Sequence, residues 1–290
     1  MRPDEGSEAL RDHQQAMLTL LDAFDRVCKK LRISYILFAG TLLGAVRHEG
    51  FIPWDDDLDV AMLRDDYERF LSQANEVLDE NRFFLQKEFS DHWPVFFSKL
   101  RLNHTACLEK YHPRDPLTHQ GVYMDIFPCD NASDNQLFRR LQFLASRVVV
   151  AKALDRRGYD TDSCLKKCFI WFCRCLPMKP FRKLVIHGKD QNSEYVHSFF
   201  GASSHYASSV YPRRLFEECT EKLFERRRFP VPADSHALLR ILYGDYMRLP
   251  DERERRGKVH AILVDLQHSW QTYGHCRDQL KFQDFTRSIR

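Results

Sequence analysis

The sequence predicts an α+β fold: a mixed β-sheet core with helices over about residues 15–155, then a mostly helical C-terminal portion over about 156–275. Three observations predict it. An amphipathic apolar repeat in the first thirty residues hands over to a short apolar run and a Gly-Thr pair, which is a helix, a strand and a second helix in succession. Between residues 83 and 127 the chain is cut into short segments rich in Phe, Val and Leu, the length and composition of strands. After about residue 155 these give way to longer apolar stretches punctuated by Pro177, Pro180 and Pro212.

Residues 1–14 are expected to be mobile, as are 276–290. Met17, Leu20, Leu21, Phe24, Val27, Cys28 and Leu31 then recur at intervals of three and four, which places a helix from residue 17. Residues 35–39 read as a strand, Gly40-Thr41 as a turn, and 42–47 as a short helix. A loop over 48–56 leads to a strand at 58–62, and Asp65 or Asp66 is expected to cap a helix over 67–78. Residues 83–87, 95–101 and 105–109 are predicted strands, 111–120 a mobile loop, and 122–127 a strand ended by Pro128. Helices are expected over 135–153, 163–176, 181–199, 233–242 and about 258–272.

Composition narrows the class. Hydrophobic residues make up 43% of 290 and include 22 Phe, enough for a large core and against disorder over most of the length. A formal charge of +3, from 44 basic and 41 acidic residues, excludes a general nucleic-acid binder. The nine cysteines are odd in number and irregularly spaced, so they read as reduced thiols. The polar N-terminus has no apolar leader and no window of about 18 residues is free of charge, so a cytoplasmic protein is expected.

The chemistry gathers between Gly40 and Asp59. Asp55, Asp56, Asp57 and Asp59 fall within five residues, a mutually repelling set that calls for a cation. On a strand, residues two apart share a face, so Asp57 and Asp59 project together about 7 Å apart. Asp125, on a separate predicted strand, supplies a third carboxylate if the two strands are neighbours. Asp55 and Asp56 are either an approach to the site or a solvated acidic loop. A glycine at Gly40-Thr41 lets the backbone approach a phosphate, and the following helix N-terminus offers free N–H groups to it.

The string GTLLGAVRHEGFIPWDDDLDVAMLRDDYERF over 40–70 resembles the signature of the LicD family, of the nucleotidyltransferase fold. So do FFSKLR at 96–101, GVYMDIFP at 121–128 and LYGDYMRLP at 242–250, and the resemblance covers about 17–260. It implies a nucleotidyltransferase-type core and transfer of phosphocholine from CDP-choline to a sugar of lipopolysaccharide, teichoic acid or a similar cell-surface glycan, or its lipid-linked precursor, with release of CMP. The fukutin-type relatives imply other CDP-alcohols, ribitol, glycerol or ethanolamine, as the alternative, with nucleotidyl transfer or a non-catalytic binding protein behind them. The resemblance matches Asp57, Asp59 and Asp125 to the Mg2+ or Mn2+ ligands, and Arg47 and His48 to basic positions near the phosphates.

Lys99 and Arg101 alternate on one strand face, either neutralising a diphosphate or pairing with neighbouring acids. Trp54 either stacks on the cytosine or a choline cation, or plugs its loop onto the core. Tyr243-Gly244-Asp245 and His260 belong to the family-like C-terminal part and are candidates for the acceptor pocket. Cys164, Cys168, Cys173 and Cys175 lack paired CxxC spacing and read as buried thiols of a core helix. The alternative for that basic-flanked helix is contact with a membrane surface, at the inner face for a cytoplasmic protein. Arg226–228 and Arg253–256 read as solvated faces.

Overall fold

A computed structural model describes residues 8–109, 115–157, 159, 161–186, 193–199, 205–251 and 260–274. The first helix, α1 (Glu8–Leu31), starts nine residues before its apolar repeat. Leu10, His13 and Gln14 are buried, so the part of the expected mobile terminus that is described is ordered helix, and residues 1–7 lie outside the described residues. The reason is polar and nonlocal. Gln14 donates its amide to Asp55 O at 3.0 Å and Ile52 O at 3.4 Å, and His13 Nε2 donates to Asp56 O at 3.1 Å. A search for apolar periodicity passes over such positions.

Next come β1 (Ile36–Leu37) and α2 (Ala39–Arg47), so Gly40 and Thr41 sit inside the first helical turn instead of before it. β2 (Asp59–Leu63) follows, then α3 (Arg64–Gln73), whose N-cap is Leu63. Asp65 and Asp66 lie in its first turn, where they suit the helix dipole without capping. β3 (Phe83–Gln86), β4 (Ser98–Leu102), β5 (Ala106–Glu109) and β6 (Tyr123–Ala132) occupy the predicted strand region. β6 runs straight through Pro128. Its antiparallel partner β4 pairs with Tyr123 to Ile126, and the next partner on that side begins at Asp130. Pro128 falls in the gap, where a missing N–H costs no ladder bond.

α4 (Gln136–Arg156) is capped by the Asn135 side chain, which accepts from Leu137 N and Phe138 N, and α5 (Cys164–Arg174) by Ser163. α6 (Met178–Ile186) takes up the start of the helix expected over 181–199. Residues 187–192 lie outside the described residues, and Tyr195–His197 is strand β7. β8 (Val210–Pro212), α7 (Arg214–Glu217) and the hairpin β9 (Cys219–Phe224) and β10 (Arg227–Pro232) follow. α8 (Ser235–Tyr243) is capped by Asp234 and closed by Gly244 at φ 68°, a left-handed position that glycine adopts without penalty. The helix expected over 258–272 is instead strand β11 (Ala261–Asp265) followed by a short 3-10 turn, Trp270–Tyr273. Ala261, Leu263 and Val264 find strand partners in β5, more than 150 residues away in sequence, which no local pattern announces.

The α+β class therefore stands, with a mixed sheet at its centre. Its order is β3-β4-β6-β2-β1, with β7 on the far half of β6 and β8 on β7. Only β2 and β6 are parallel; the other pairs of this sheet are antiparallel. The apolar face of α1, with Met17, Leu20, Leu21, Phe24 and Val27, closes the main core together with Phe38, Leu58, Val60, Tyr67, Phe70 and Ile126. A second cluster joins Trp93, Val95 and Phe96 to Ala145 and Val149 of α4, Val185 of α6 and Phe199.

Two expectations on loops and charges change. Residues 110–114 lie outside the described residues, but the remainder of the 111–120 loop is anchored: Thr118 is buried and donates to His92 O at 2.7 Å. Arg227 is tied to α1 by Asp22 at 2.5 Å and Asp25 at 3.3 Å, so it docks the hairpin instead of facing solvent alone. Arg253–256 lie outside the described residues.

Candidate active site

A cavity of about 750 Å³ opens above the starts of β2 and β6, and Asp55, Asp57, Asp59 and Asp125 all line it. Asp59 and Asp125 are register partners on the two adjacent parallel strands. Backbone bonds fix the arrangement: Asp125 N donates to Leu58 O at 2.8 Å and Phe38 N to Asp59 O at 3.0 Å. Thr41 is buried and its Oγ1 accepts the Asp59 N–H at 2.8 Å, so its side chain sets the first residue of β2. Gly40 brings the α2 backbone against the acids. A Cβ there would sit 2.9 Å from Asp55 Oδ2. Ala39 opens α2 at φ 43°, a strained conformation for an L-residue, of the kind concentrated at functional sites.

The neighbouring aspartates divide their work. Asp56 does not join the cavity set. Its buried carboxylate accepts His260 N at 2.8 Å and Ala261 N at 2.7 Å, binding β11 to the acidic loop. Burial, the dominant influence, brings its carboxyl up to about 6. Asp57 stays at the surface of the site, with His260 Nε2 at 3.5 Å from Oδ2. Burial first, then the charges of Asp57, Asp125 and Asp55, push the Asp59 carboxyl well above the usual range. Burial also raises Asp125, against the opposing pull of Lys99.

Lys99 is fully buried, with Nζ 3.0 Å from Asp125 Oδ1 and 3.6 Å from Glu109 Oε1, over the Tyr123 ring at 3.2 Å from its centroid. Arg101 is equally buried but points away from the cavity. Its Nε donates to Gln86 Oε1 at 2.7 Å and a terminal nitrogen to Gly121 O at 2.8 Å. Both belong to a packed charge network centred on Glu109. Although burial works against it, Lys99, Arg157 and Arg101 hold the Glu109 carboxyl down at about 2. Of the two readings of this strand face, the pairing with neighbouring acids is what the contacts show, in the core instead of at the surface.

Arg47 lines the cavity and donates to Tyr246 O at 2.9 Å and to His48 Nε2 at 2.9 Å, whereas His48 stands behind it. Trp54 is buried and also lines the cavity, so packing and access to the site coexist in one side chain. Tyr243, Asp245 and His260 line it, together with Tyr246, Arg248 and Asp251, which sequence patterns did not single out for the site. Tyr243 is 40% exposed as a residue, while burial at its hydroxyl end, then the charges of Asp59, Asp55 and Asp57, push the hydroxyl above its ordinary range. Glu109 leaves little trace in the sequence, as an acid closing an otherwise apolar strand.

As a metal site the cavity offers hard oxygen donors of one charge, which suits magnesium or manganese. Among the described residues no three His, Cys, Asp or Glu side chains form a ready cage by themselves. The donor set fits an ion that takes one or two carboxylates and completes its shell with substrate phosphate oxygens. The four cysteines near residue 170 offer no such site. Cys164, Cys168 and Cys175 are exposed and Cys173 alone is buried, so the expected core helix of buried thiols is not what forms.

Residues 32–147 match the model of the LicD/FKTN/FKRP nucleotidyltransferase domain. The chain is 28% identical over 261 residues to the lipopolysaccharide cholinephosphotransferase LicD of Haemophilus influenzae, covering 87% of this chain and 96% of that one. It is 30% identical over 122 residues to the human ribitol 5-phosphate transferase FKRP, covering 40% of this chain and 23% of that one. An uncharacterised Rickettsia typhi protein, RT0683, shares 54% identity over 51 residues, or 17% of this chain and 16% of its own.

Proposed function

Starting from a chain whose residues 32–147 are a LicD/FKTN/FKRP nucleotidyltransferase domain, we propose that it is a phosphotransferase moving phosphocholine from CDP-choline to a sugar hydroxyl of a cell-surface glycan or its lipid-linked precursor. One observation carries the chemical part of this reading: Asp59 and Asp125 stand opposite each other on neighbouring parallel strands, lining a cavity that the α2 N-terminus also lines.

In this reading one or two carboxylates drawn from Asp57, Asp59 and Asp125 would hold a magnesium or manganese ion, which when bound would supply positive charge to the donor diphosphate and to departing CMP. Ala39 and Gly40, in the first turn of α2, offer N–H groups to the phosphates, and Arg47 adds a guanidinium held in place by Tyr246 O. The acceptor oxygen attacks the choline-bearing phosphorus, the bond from that phosphorus to the CMP oxygen breaks, and the hydroxyl proton passes to Asp125. Burial raises that carboxyl above the usual range, against the pull of Lys99, which is the direction a proton acceptor needs. Lys99, out of reach of the cavity, acts through Asp125 by fixing its orientation. Trp54, Phe127 and Tyr243 present aromatic surface for cytosine or for a quaternary ammonium group, and Asp245 and Asp251 place negative charge on the same wall. No side-chain nucleophile is required, since positioning and charge stabilisation dominate such transfers.

The test is CMP release from CDP-choline, CDP-ribitol, CDP-glycerol and CDP-ethanolamine in the presence of manganese and a glycan acceptor. Release from CDP-choline that disappears in Asp59→Asn supports the reading. Release from CDP-ribitol alone would replace the donor, a second reading favoured by the similarity to human ribitol 5-phosphate transferase. Release from none of the four would overturn the transferase reading.

A further inference from the structure

We propose that α5 and its basic surroundings form a docking surface for an anionic lipid bilayer. The helix wears its apolar residues outward: Leu165 is 84% exposed, Phe169 45%, Trp171 66% and Phe172 56%. Leu165, Phe169 and Phe172, spaced by four and three, share one face, and Cys173 is the buried residue of α5. Leu137, Leu141 and Leu144 make a second exposed row on α4, the helix against which α5 packs. Lys152 of α4 secures that contact by donating to the carbonyls of Cys173, Arg174 and Leu176.

Charge decides what such a face fits. From 163 to 189 the chain contains no Asp or Glu, while Lys166, Lys167, Arg174, Lys179, Arg182 and Lys183 all fall within this stretch. Arg174 is turned back onto Asp155 at 2.5 Å, but Lys166 and Lys167 are exposed on α5 itself. Asp162 is exposed just before the helix and Asp155 is taken up by Arg174. Exposed Trp, Phe and Leu beside lysines, with no acid within the helix itself, is the composition of helices that lie in a membrane interface. Anionic headgroups complement the cations while acyl chains take the apolar face. A second copy of the chain would bring the same cations together, so self-association is disfavoured by that charge. Among the described residues no helix is long and apolar enough to cross a membrane, so the contact is peripheral.

The tryptophans make the test direct, because Trp54, Trp93 and Trp270 are buried and Trp171 is exposed. The full chain is mixed with phosphatidylcholine vesicles, with or without about one-third phosphatidylserine, and followed by sedimentation and tryptophan emission. Partition onto the anionic vesicles is expected to exceed that onto neutral ones about tenfold and to weaken at about 0.5 M salt. Emission should shift to the blue and be quenched by brominated acyl chains. Leu165→Glu with Phe169→Glu should abolish binding and leave the far-ultraviolet circular dichroism intact. Trp171→Phe should retain sedimentation and lose the emission shift. Absence of sedimentation, or sedimentation without a Trp171 response, would overturn the proposal. So would a concentration-dependent dimer in light scattering that the double glutamate variant dissolves, since the face would then belong to a second copy.

Discussion

The two ends of the parallel pair β2 and β6 carry opposite solutions to the same electrostatic problem. At the far end, Arg64 follows β2 and forks onto Asp130 with bonds of 2.6 and 3.0 Å, while its third nitrogen meets Glu88 at 2.7 Å. Arg182 stands 4.0 Å from Glu88, so two guanidinium groups face two carboxylates. At the near end, Asp55, Asp57, Asp59 and Asp125 line one cavity, and Lys99, the buried ammonium against Asp125, is shared with Glu109. A buried acid that serves the fold comes with a fork-shaped partner. A set of acids that outnumbers its buried cation is, in the function proposed above, the place for a cation that arrives from solution.

Substitutions can break this comparison from either side. The largest expected effect is at the near end: Asp59→Asn should lower CMP release by about four orders of magnitude, roughly 5 kcal/mol in the barrier. At the far end, Arg64→Ala strands Asp130 and Glu88 and should cost about 3–5 kcal/mol in urea unfolding. Turnover per folded molecule should change only slightly. Equal effects of both substitutions on turnover, or on stability, would erase the distinction between the ends.

Acid titration sharpens it further. His197 is the register partner of Asp130, is fully buried, and has its ring held at about 4 by that burial. Its Nε2 donates to Val185 O at 3.0 Å, which fits the neutral ring. The unfolded chain takes up the proton near pH 6.5 and the folded one only near 4, so the contribution is intact above about 6.5 and is lost as pH falls toward 4. The stability gap between the wild type and His197→Gln should therefore narrow across that window, by roughly 3 kcal/mol at most. A gap that stays constant from pH 7.5 to 4.5 would place the proton elsewhere. The smallest effect belongs to the acidic loop. A Cβ on Gly44 would collide with Gly50 O, so Gly44→Ala should cost about 1–3 kcal/mol in thermal unfolding and disturb the near end alone.

Much of the near end was legible in the chain, and the reason is local. Asp57 and Asp59 straddle Leu58 in an apolar run, and Asp125 is a lone acid among Met124, Ile126 and Phe127, so period-two alternation exposes all three. What escaped notice depends on distant partners. His13 and Gln14 are buried by carbonyls about forty residues away, and β11 takes its strand form from β5. Glu109 looked ordinary until Lys99, Arg101 and Arg157 closed around it. α5 misled for the opposite reason. Its apolar pattern is that of a core helix, and composition does not reveal on which side the core will lie.

Thermal unfolding of the wild type and Asp59→Asn, each with and without manganese and CDP-choline, tests the charge imbalance most directly. Burial and neighbouring aspartates penalise an ionised Asp59, so without ligands the Asn variant should be about 1 kcal/mol more stable at neutral pH. Manganese and donor should raise the midpoint of the wild type and leave that of Asp59→Asn unmoved. An Asn variant that melts below the wild type and still rises with the ligands would contradict the account.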